Sequence, residues 1–117
     1  MKQIIAMGGG GFSMEPENLS LDQYIINQSE RKSPRICFLP TASGDSQSYV
    51  QRFYDAFQTL DCAPSHLSLF KPPSTNLTSF LMEKDVLAGE IHGICLCCGR
   101  SGGWIIFSGK HGRTVWF

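Results

Sequence analysis

The stretch that decides the fold is QIIAMGGGGFS, residues 3–13. Its short apolar run ends in four consecutive glycines, a pattern typical of a buried strand that leads into a tight turn. From Ser20 onward, apolar residues follow at helical spacing, and Asp22 lies in the first turn, where its charge suits the helix dipole. This part of the chain therefore predicts a strand, a glycine turn and a short helix.

The same order of elements recurs further along the chain. The segment RICFLPTASGD, residues 35–45, predicts a second strand that Pro40 ends, followed by a polar turn. Residues 66–70 predict a third short strand, and residues 78–82 lead toward a fourth strand that starts near Val86. The second helix is indicated by an apolar stripe with the spacing i, i+3, i+4, i+7 and i+10, made of Val50, Phe53, Tyr54, Phe57 and Leu60.

The alternation of strands and helices predicts the α/β class, with a parallel sheet, helices on both faces and a Rossmann-like arrangement that is truncated after about the fourth strand. We expect residues 1–86 to form the amino-terminal part of one such domain. Residues 87–117 are expected to form no domain of their own.

Ligands of such sheets bind beyond the carboxyl ends of the strands, so the glycine turn and the turn after the second strand are expected on the same rim. Glycines let a ligand approach the backbone closely, and their N–H groups can converge on an anion or an oxyanion. The predicted substrate-binding residues on this rim are Gly9, Gly10, Gly11, Ser13, Thr41 and Ser43. No catalytic residue is predicted, because neither serine has a paired base and His66 stands alone.

A nucleotide site is less well supported. The pattern Gly8-x-Gly10-x-x-Ser13 lacks the third glycine of the dinucleotide fingerprint, and no acidic residue ends the second strand. No Gly-Lys-Ser or Gly-Lys-Thr follows the glycines, which excludes a P-loop. A module that binds a small anion or a nucleotide through residues 8–11 remains the alternative function, beside a turn that only packs the strand against its helix.

The composition excludes other classes of function. The 117 residues contain 10 basic and 10 acidic side chains, so no net charge attracts nucleic acid. The sequence has no run of eighteen apolar residues to span a membrane, and its amino-terminal apolar segment is too short for a signal peptide. We therefore expect a cytoplasmic protein with no nucleic-acid or membrane partner, while the oligomeric state stays open.

Two motifs carry a resemblance to a known family. The segments IIAMGGGGFS, residues 4–13, and ICFLPTAS, residues 36–43, resemble the opening of the dipeptidase E and cyanophycinase family of serine peptidases. The resemblance covers about residues 2–86. It implies a fold like that of the class I glutamine amidotransferases and hydrolysis of small peptides, typically an aspartyl dipeptide, without a cofactor.

The same resemblance shows what this chain lacks. The family has a Gly-Gly-Gly-Asn turn after its fourth strand and a later G-x-S-A-G elbow that carries the nucleophilic serine, with a histidine and an acidic residue beyond it. Neither motif occurs in this sequence. We therefore expect the chain to be an inactive fragment of a serine-type peptidase.

The missing Gly-Gly-Gly-Asn turn can be recovered from residues 87–117 in a shifted reading frame. Back-translation of residues 87–98, with each codon started one base earlier, can give VGGGNTWNLLVL, which contains the family turn at the expected place. Two bases of each shifted codon are nearly fixed by the existing residue, so a random tail is not expected to yield this motif. We interpret the tail as a frameshifted translation.

Taken at face value, the tail instead offers soft and imidazole ligands for zinc, namely Cys95, Cys97 and Cys98 with His92 or His111. Structural zinc sites favour Cys-x-x-Cys pairs, and this spacing crowds three thiolates together. The sequence therefore predicts no metal site.

Overall fold

A computed structural model describes residues 3–7, 11–41, 43–71, 76–91, 103–108 and 114–116. Three helices and six strands lie in these ranges. In chain order they are β1 (Gln3–Met7), α1 (Ser20–Asn27), β2 (Arg35–Leu39), α2 (Gln47–Phe57), β3 (Ala63–His66), α3 (Leu77–Met82), β4 (Val86–Ile91), β5 (Gly103–Ser108) and β6 (Thr114–Trp116). No helix in this part of the chain is long and apolar enough to cross a membrane.

The strands form one sheet in the order β3-β2-β4-β5-β1-β6. Strand β2 pairs in parallel with both β3 and β4, and β1 pairs in parallel with β6. Strand β5 is antiparallel to both of its neighbours, β4 and β1. The first four strands therefore all run in the same direction, which confirms the α/β class and the parallel core, while β5 from the tail runs against them.

The order of the strands determines the side on which each helix lies. The chain moves the same way along the sheet from β1 to β2 and from β2 to β3, and then the opposite way from β3 to β4. Residues of α1 and α2 pack in one core cluster with the sheet, and the right-handed crossover rule predicts α3 on the opposite face. We call these the α1/α2 face and the α3 face.

The core lies between the sheet and helices α1 and α2, and aromatic rings dominate it. Phe53 of α2 stacks on Phe38 of β2 with ring centroids 4.8 Å apart and on Phe57 at 4.6 Å. Phe12, which follows the glycine turn, meets Phe38, Phe53 and Phe57 edge-on at 5.7–5.8 Å. The predicted stripe of α2 is confirmed, since Val50, Phe53 and Phe57 are buried in this cluster.

The third strand lies earlier in the chain than the sequence predicts. It spans Ala63–His66 rather than residues 66–70, in parallel register with Arg35–Phe38 of β2. The Ala63 N–H already bonds the Pro34 carbonyl at 2.9 Å, which starts the pairing there. Pro64 lacks an N–H but is tolerated because β3 is an edge strand.

Asp85 fixes the start of β4 against the start of β2. Its Oδ2 accepts the Arg35 backbone N–H at 2.8 Å and the Arg35 Nε–H at 3.2 Å, and Arg31 approaches the other oxygen at 3.3 Å. Partial burial acts to raise the pKa of this carboxyl, but the bonds to Arg35 and the charges of Arg35 and Arg31 lower it below its usual range. The two parallel strands are therefore clamped together at their amino ends.

We predict that Phe53→Ala will lower the free energy of unfolding by about 3–5 kcal/mol, because the ring is fully buried among three other phenylalanines. Urea-induced unfolding followed by circular dichroism measures this change. The control is Met82→Ala, whose side chain is 80% exposed and should change stability by less than about 0.5 kcal/mol. Equal effects of the two substitutions would contradict the described core.

Candidate functional site

The candidate site is the rim at the carboxyl ends of β1 to β4. Gly11 and Ser13 follow β1 on this rim, and Thr41 and Ser43 follow β2. Gly9 and Gly10 lie outside the described residues. In the sheet, β4 and β5 separate β1 from β2, so the two turns start about 14 Å apart, three interstrand spacings. The centroid of the Phe12 ring lies 5.8 Å from that of Phe38 in β2, so the residue that follows Gly11 is close to β2.

The backbone conformation at the end of the glycine turn explains why its last residue is a glycine. Gly11 is buried and has φ +70°, a region that side chains rarely adopt. Its carbonyl accepts the N–H groups of Met14 at 3.1 Å and Glu15 at 2.8 Å, so the chain curls back immediately after the turn. This curl leaves Ser13 half-buried and places the Phe12 ring in the core.

Asp22 of α1 lies directly beneath this turn and is only 1% exposed. Burial raises the pKa of its carboxyl, while hydrogen bonds from the backbone N–H groups of Phe12 and of Asp22 itself act to lower it. Oδ2 is buried without a hydrogen-bond partner among the described residues. The carboxylate therefore holds the Phe12 N–H and takes that donor away from any bound anion.

The sequence assigned Asp22 only to the helix dipole, and its burial was missed. The available signal was position alone: an acidic residue in the first turn of a helix that follows a glycine turn can reach back to the backbone of that turn. Periodicity does not show whether such a side chain faces water or the turn.

The turn after β2 is tightly bonded. The Asp45 N–H reaches the Pro40 carbonyl at 2.9 Å, and the Ser43 hydroxyl donates to the same carbonyl at 3.1 Å. Gly44 and Asp45 both have positive φ, +65° and +58°. Thr41 is exposed and Ser43 is half-buried, so this turn presents two hydroxyl-bearing residues at the rim.

Asp45 ties this turn to the segment that follows β3. Its Oδ2 accepts a bond from the Ser68 hydroxyl and one from the Phe70 N–H, the latter at 3.0 Å. Asp45 adopts a left-handed conformation in which aspartate is enriched among non-glycine residues. The sequence indicates Asp45 only as a turn residue, whereas the structure shows that it joins the turn after β2 to the segment after β3.

The described contact of His66 is with Tyr54 of α2. His66 is exposed at the end of the edge strand β3, and its Nδ1 is 2.8 Å from the Tyr54 hydroxyl of α2. Burial raises the pKa of Tyr54, and a hydrogen bond from the His66 backbone acts in the opposite direction. This pair joins α2 to the sheet edge, and the absence of a catalytic role for His66 stays a prediction.

Within the part of the chain that the structure describes, no group of three His, Cys, Asp or Glu side chains could hold a metal ion. The zinc ligands considered from the sequence, His92, Cys95, Cys97, Cys98 and His111, lie outside that part. The two described cysteines, Cys37 and Cys62, are not in a disulfide bond. Burial, with the nearby charge of Asp61, raises the pKa of Cys62 to about 11, so its thiol is unreactive near neutral pH.

The model of peptidase family S51 matches residues 4–90, and the chain belongs to this family. The resemblance to dipeptidase E seen in the two sequence motifs is thereby confirmed.

One curated relative also matches this chain. The chain is 83% identical over 87 residues to a Bacillus subtilis (strain 168) protein named "Uncharacterized peptidase YgaJ". These 87 residues are 74% of this chain but only 38% of the relative, so the chain spans well under half of the relative's length. No solved structure matches the chain.

We predict that Asp22→Asn will remove a pH dependence from folding stability. The pKa of Asp22 is higher in the folded state than the unfolded value of 3.8, so its contribution is fully present below 3.8 and is lost as the pH rises through the folded pKa. Asparagine keeps an acceptor for the Phe12 N–H and cannot ionise. The variant should therefore be at least as stable as the original chain at pH 7, with a flatter profile between pH 4 and 7 as measured by thermal unfolding.

Two further variants make this test specific. Asp22→Ala leaves the Phe12 N–H unsatisfied and should be about 1–3 kcal/mol less stable than Asp22→Asn at all pH values, because neither variant can ionise at this position. Asp55→Asn alters an exposed carboxylate of α2 and should leave the profile unchanged. An Asp22→Asn protein that keeps the original pH profile would show that Asp22 is not the titrating group.

Proposed function

We propose that this chain carries the amino-terminal, substrate-facing part of a serine-type peptidase that acts on small peptides, typically an aspartyl dipeptide. The observation that supports this most directly is the match of residues 4–90 to peptidase family S51. The 83% identity to a relative named as a peptidase supports the same conclusion.

In this proposal the glycine turn provides backbone donors and room for the peptide. Gly9, Gly10 and Gly11 allow close approach of the substrate carbonyl, whose developing negative charge is stabilised by N–H groups. Ser13, Thr41 and Ser43 contribute hydroxyls that hydrogen-bond the peptide along the rim. Asp22 and Asp45 do not contact substrate, and instead fix the two turns through their bonds to Phe12, Ser68 and Phe70.

The nucleophile, the base and the acid are assigned to the family region that this chain lacks. A serine there would attack the substrate carbonyl and form an acyl-enzyme, with its proton transferred to the histidine and then to the leaving amine, and water would complete hydrolysis. The chain by itself would therefore bind substrate without turnover. We place the protein in the cytosol, with small peptides as its partners.

We also propose that residues 87–117 come from a shifted reading frame. The family match ends at residue 90 and the matched part of the relative is 87 residues long, which agrees with a change of register close to Val86. Sequencing the coding DNA around Val86 is the direct test. The proposal requires a neighbouring frame that encodes Gly-Gly-Gly-Asn-Thr at this point, and a gene without it would refute the shift.

We predict that the purified chain will release no amino acid from an aspartyl dipeptide, whereas the full-length Bacillus subtilis relative will do so under the same conditions. The physical reason is that neither Ser13 nor Ser43 belongs to a nucleophile elbow with a general base. Release of free aspartate, followed by chromatography, is the measurement. Turnover by the chain that Ser13→Ala or Ser43→Ala abolishes would overturn the assignment of catalysis to the absent region.

A further inference from the structure

An open groove of about 190 Å³ lies on the α1/α2 face, between the β1–α1 connection and the outer side of α2. Phe12, Pro16 and Leu19 line it from the connection, and side chains of α2 and of the turn that ends this helix line the other side. Helix α2 begins near the rim and runs back toward the start of β3. The groove therefore lies toward the end of α2 that is farther from Thr41 and Ser43. We call it the α2 groove.

The floor of the α2 groove is apolar and firmly held. Phe12 and Ala56 are buried members of the core cluster, and Leu19 packs against that cluster. The connection above them is bonded to itself, since the Asn18 N–H reaches the Glu15 carbonyl at 2.8 Å. An engineered apolar cavity of about 150 Å³ in another protein holds a benzene molecule, so the α2 groove has room for one aliphatic or aromatic side chain.

Three polar side chains border this floor at the spacing i, i+3 and i+7, which places them on the same side of α2 and its last turn: Arg52, Asp55 and Thr59. All three are exposed. In the part of the chain that the structure describes, neither charged residue forms an ion pair. The Thr59 hydroxyl donates to the Ala56 carbonyl at 2.7 Å, so its oxygen can still accept a hydrogen bond.

Neighbouring side chains hold the two charged groups in place without neutralising them. The guanidinium carbon of Arg52 lies 5.5 Å from the centroid of the Tyr49 ring. One carboxylate oxygen of Asp55 accepts a hydrogen bond from the Gln51 amide at 2.8 Å, and the second oxygen keeps its capacity to accept. Because both groups are already oriented, a ligand that pairs with them loses less free energy in ordering the site.

From this arrangement we infer that the α2 groove binds a free α-amino acid with an apolar side chain. The ligand's carboxylate pairs with the Arg52 guanidinium, and its ammonium group pairs with the Asp55 carboxylate and the Thr59 hydroxyl oxygen. Its side chain lies on Phe12 and Leu19, where burial of apolar surface adds affinity. A zwitterion complements both charges of the groove, whereas a ligand with a single charge leaves one of them unmatched. This inference does not depend on the proposed peptidase function.

The test is titration of the isotope-labelled 117-residue chain with L-leucine, followed by nuclear magnetic resonance. We expect saturable shifts with a dissociation constant on the order of 1 mM. The amide signals of Ala56 and Thr59 should move, whereas that of Thr41 on the rim should not. Isocaproate lacks the ammonium group and isoamylamine lacks the carboxylate, so each should bind at least about fivefold more weakly than leucine.

Two substitutions assign the charges to the ligand. Arg52→Gln should weaken leucine binding at least about fivefold and leave isoamylamine binding unchanged, and Asp55→Asn should weaken leucine binding equally and leave isocaproate binding unchanged. Both residues are exposed, so each variant should unfold close to the thermal midpoint of the original chain. The matched controls are Lys32→Gln and Asp61→Asn, which remove the same charges from exposed positions outside the groove and should leave binding unchanged.

Several results would overturn the inference. One is the absence of saturation below about 50 mM leucine, and another is equal affinity for leucine, isocaproate and isoamylamine. Shifts confined to the rim would place the amino acid elsewhere. Leucine binding that survives both Arg52→Gln and Asp55→Asn would show that the two charges of the α2 groove do not hold the ligand.

Discussion

The stacking of Phe53 on Phe38 is the contact on which the rest of the fold depends. It fixes α2 on β2, the strand that pairs in parallel with two others. Phe12 enters the same cluster, so the backbone that follows Gly11 is held by packing in the core. Because β1 is separated from β2 by two strands, this aromatic contact is what relates the two halves of the rim.

Much of the architecture could be predicted because its signals are local. The apolar runs of β1 and β2 and the stripe of α2 each reflect a periodicity that burial imposes on neighbouring residues. The position of β3 was wrong because an edge strand with Pro64 carries little periodic signal, and its register depends on bonds to Pro34 and β2, far away in sequence. The antiparallel strand β5 was not predicted, because residues 87–117 were expected to form no domain of their own.

At the rim, too, some features could be predicted from the sequence and others could not. The glycines and hydroxyl-bearing residues could be assigned to one edge of the sheet, because strand order and polarity alone determine that edge. The roles of Asp22 and Asp45 could not be assigned from sequence. Each carboxylate acts on the backbone of another segment, Phe12 in one case and Phe70 in the other, and such contacts leave no pattern in spacing. Both aspartates therefore support turns of the rim.

The antiparallel strand β5 determines how proteolysis would affect the sheet. Strand β1 reaches β4 only through β5, so the backbone ladder of the sheet is continuous only while residues 103–108 are in place. A protease that trimmed the end of the chain would remove the bridge between β1 and the parallel strands, and only side-chain packing would then join them. The backbone continuity of the described sheet thus rests on a segment that lies beyond the family match.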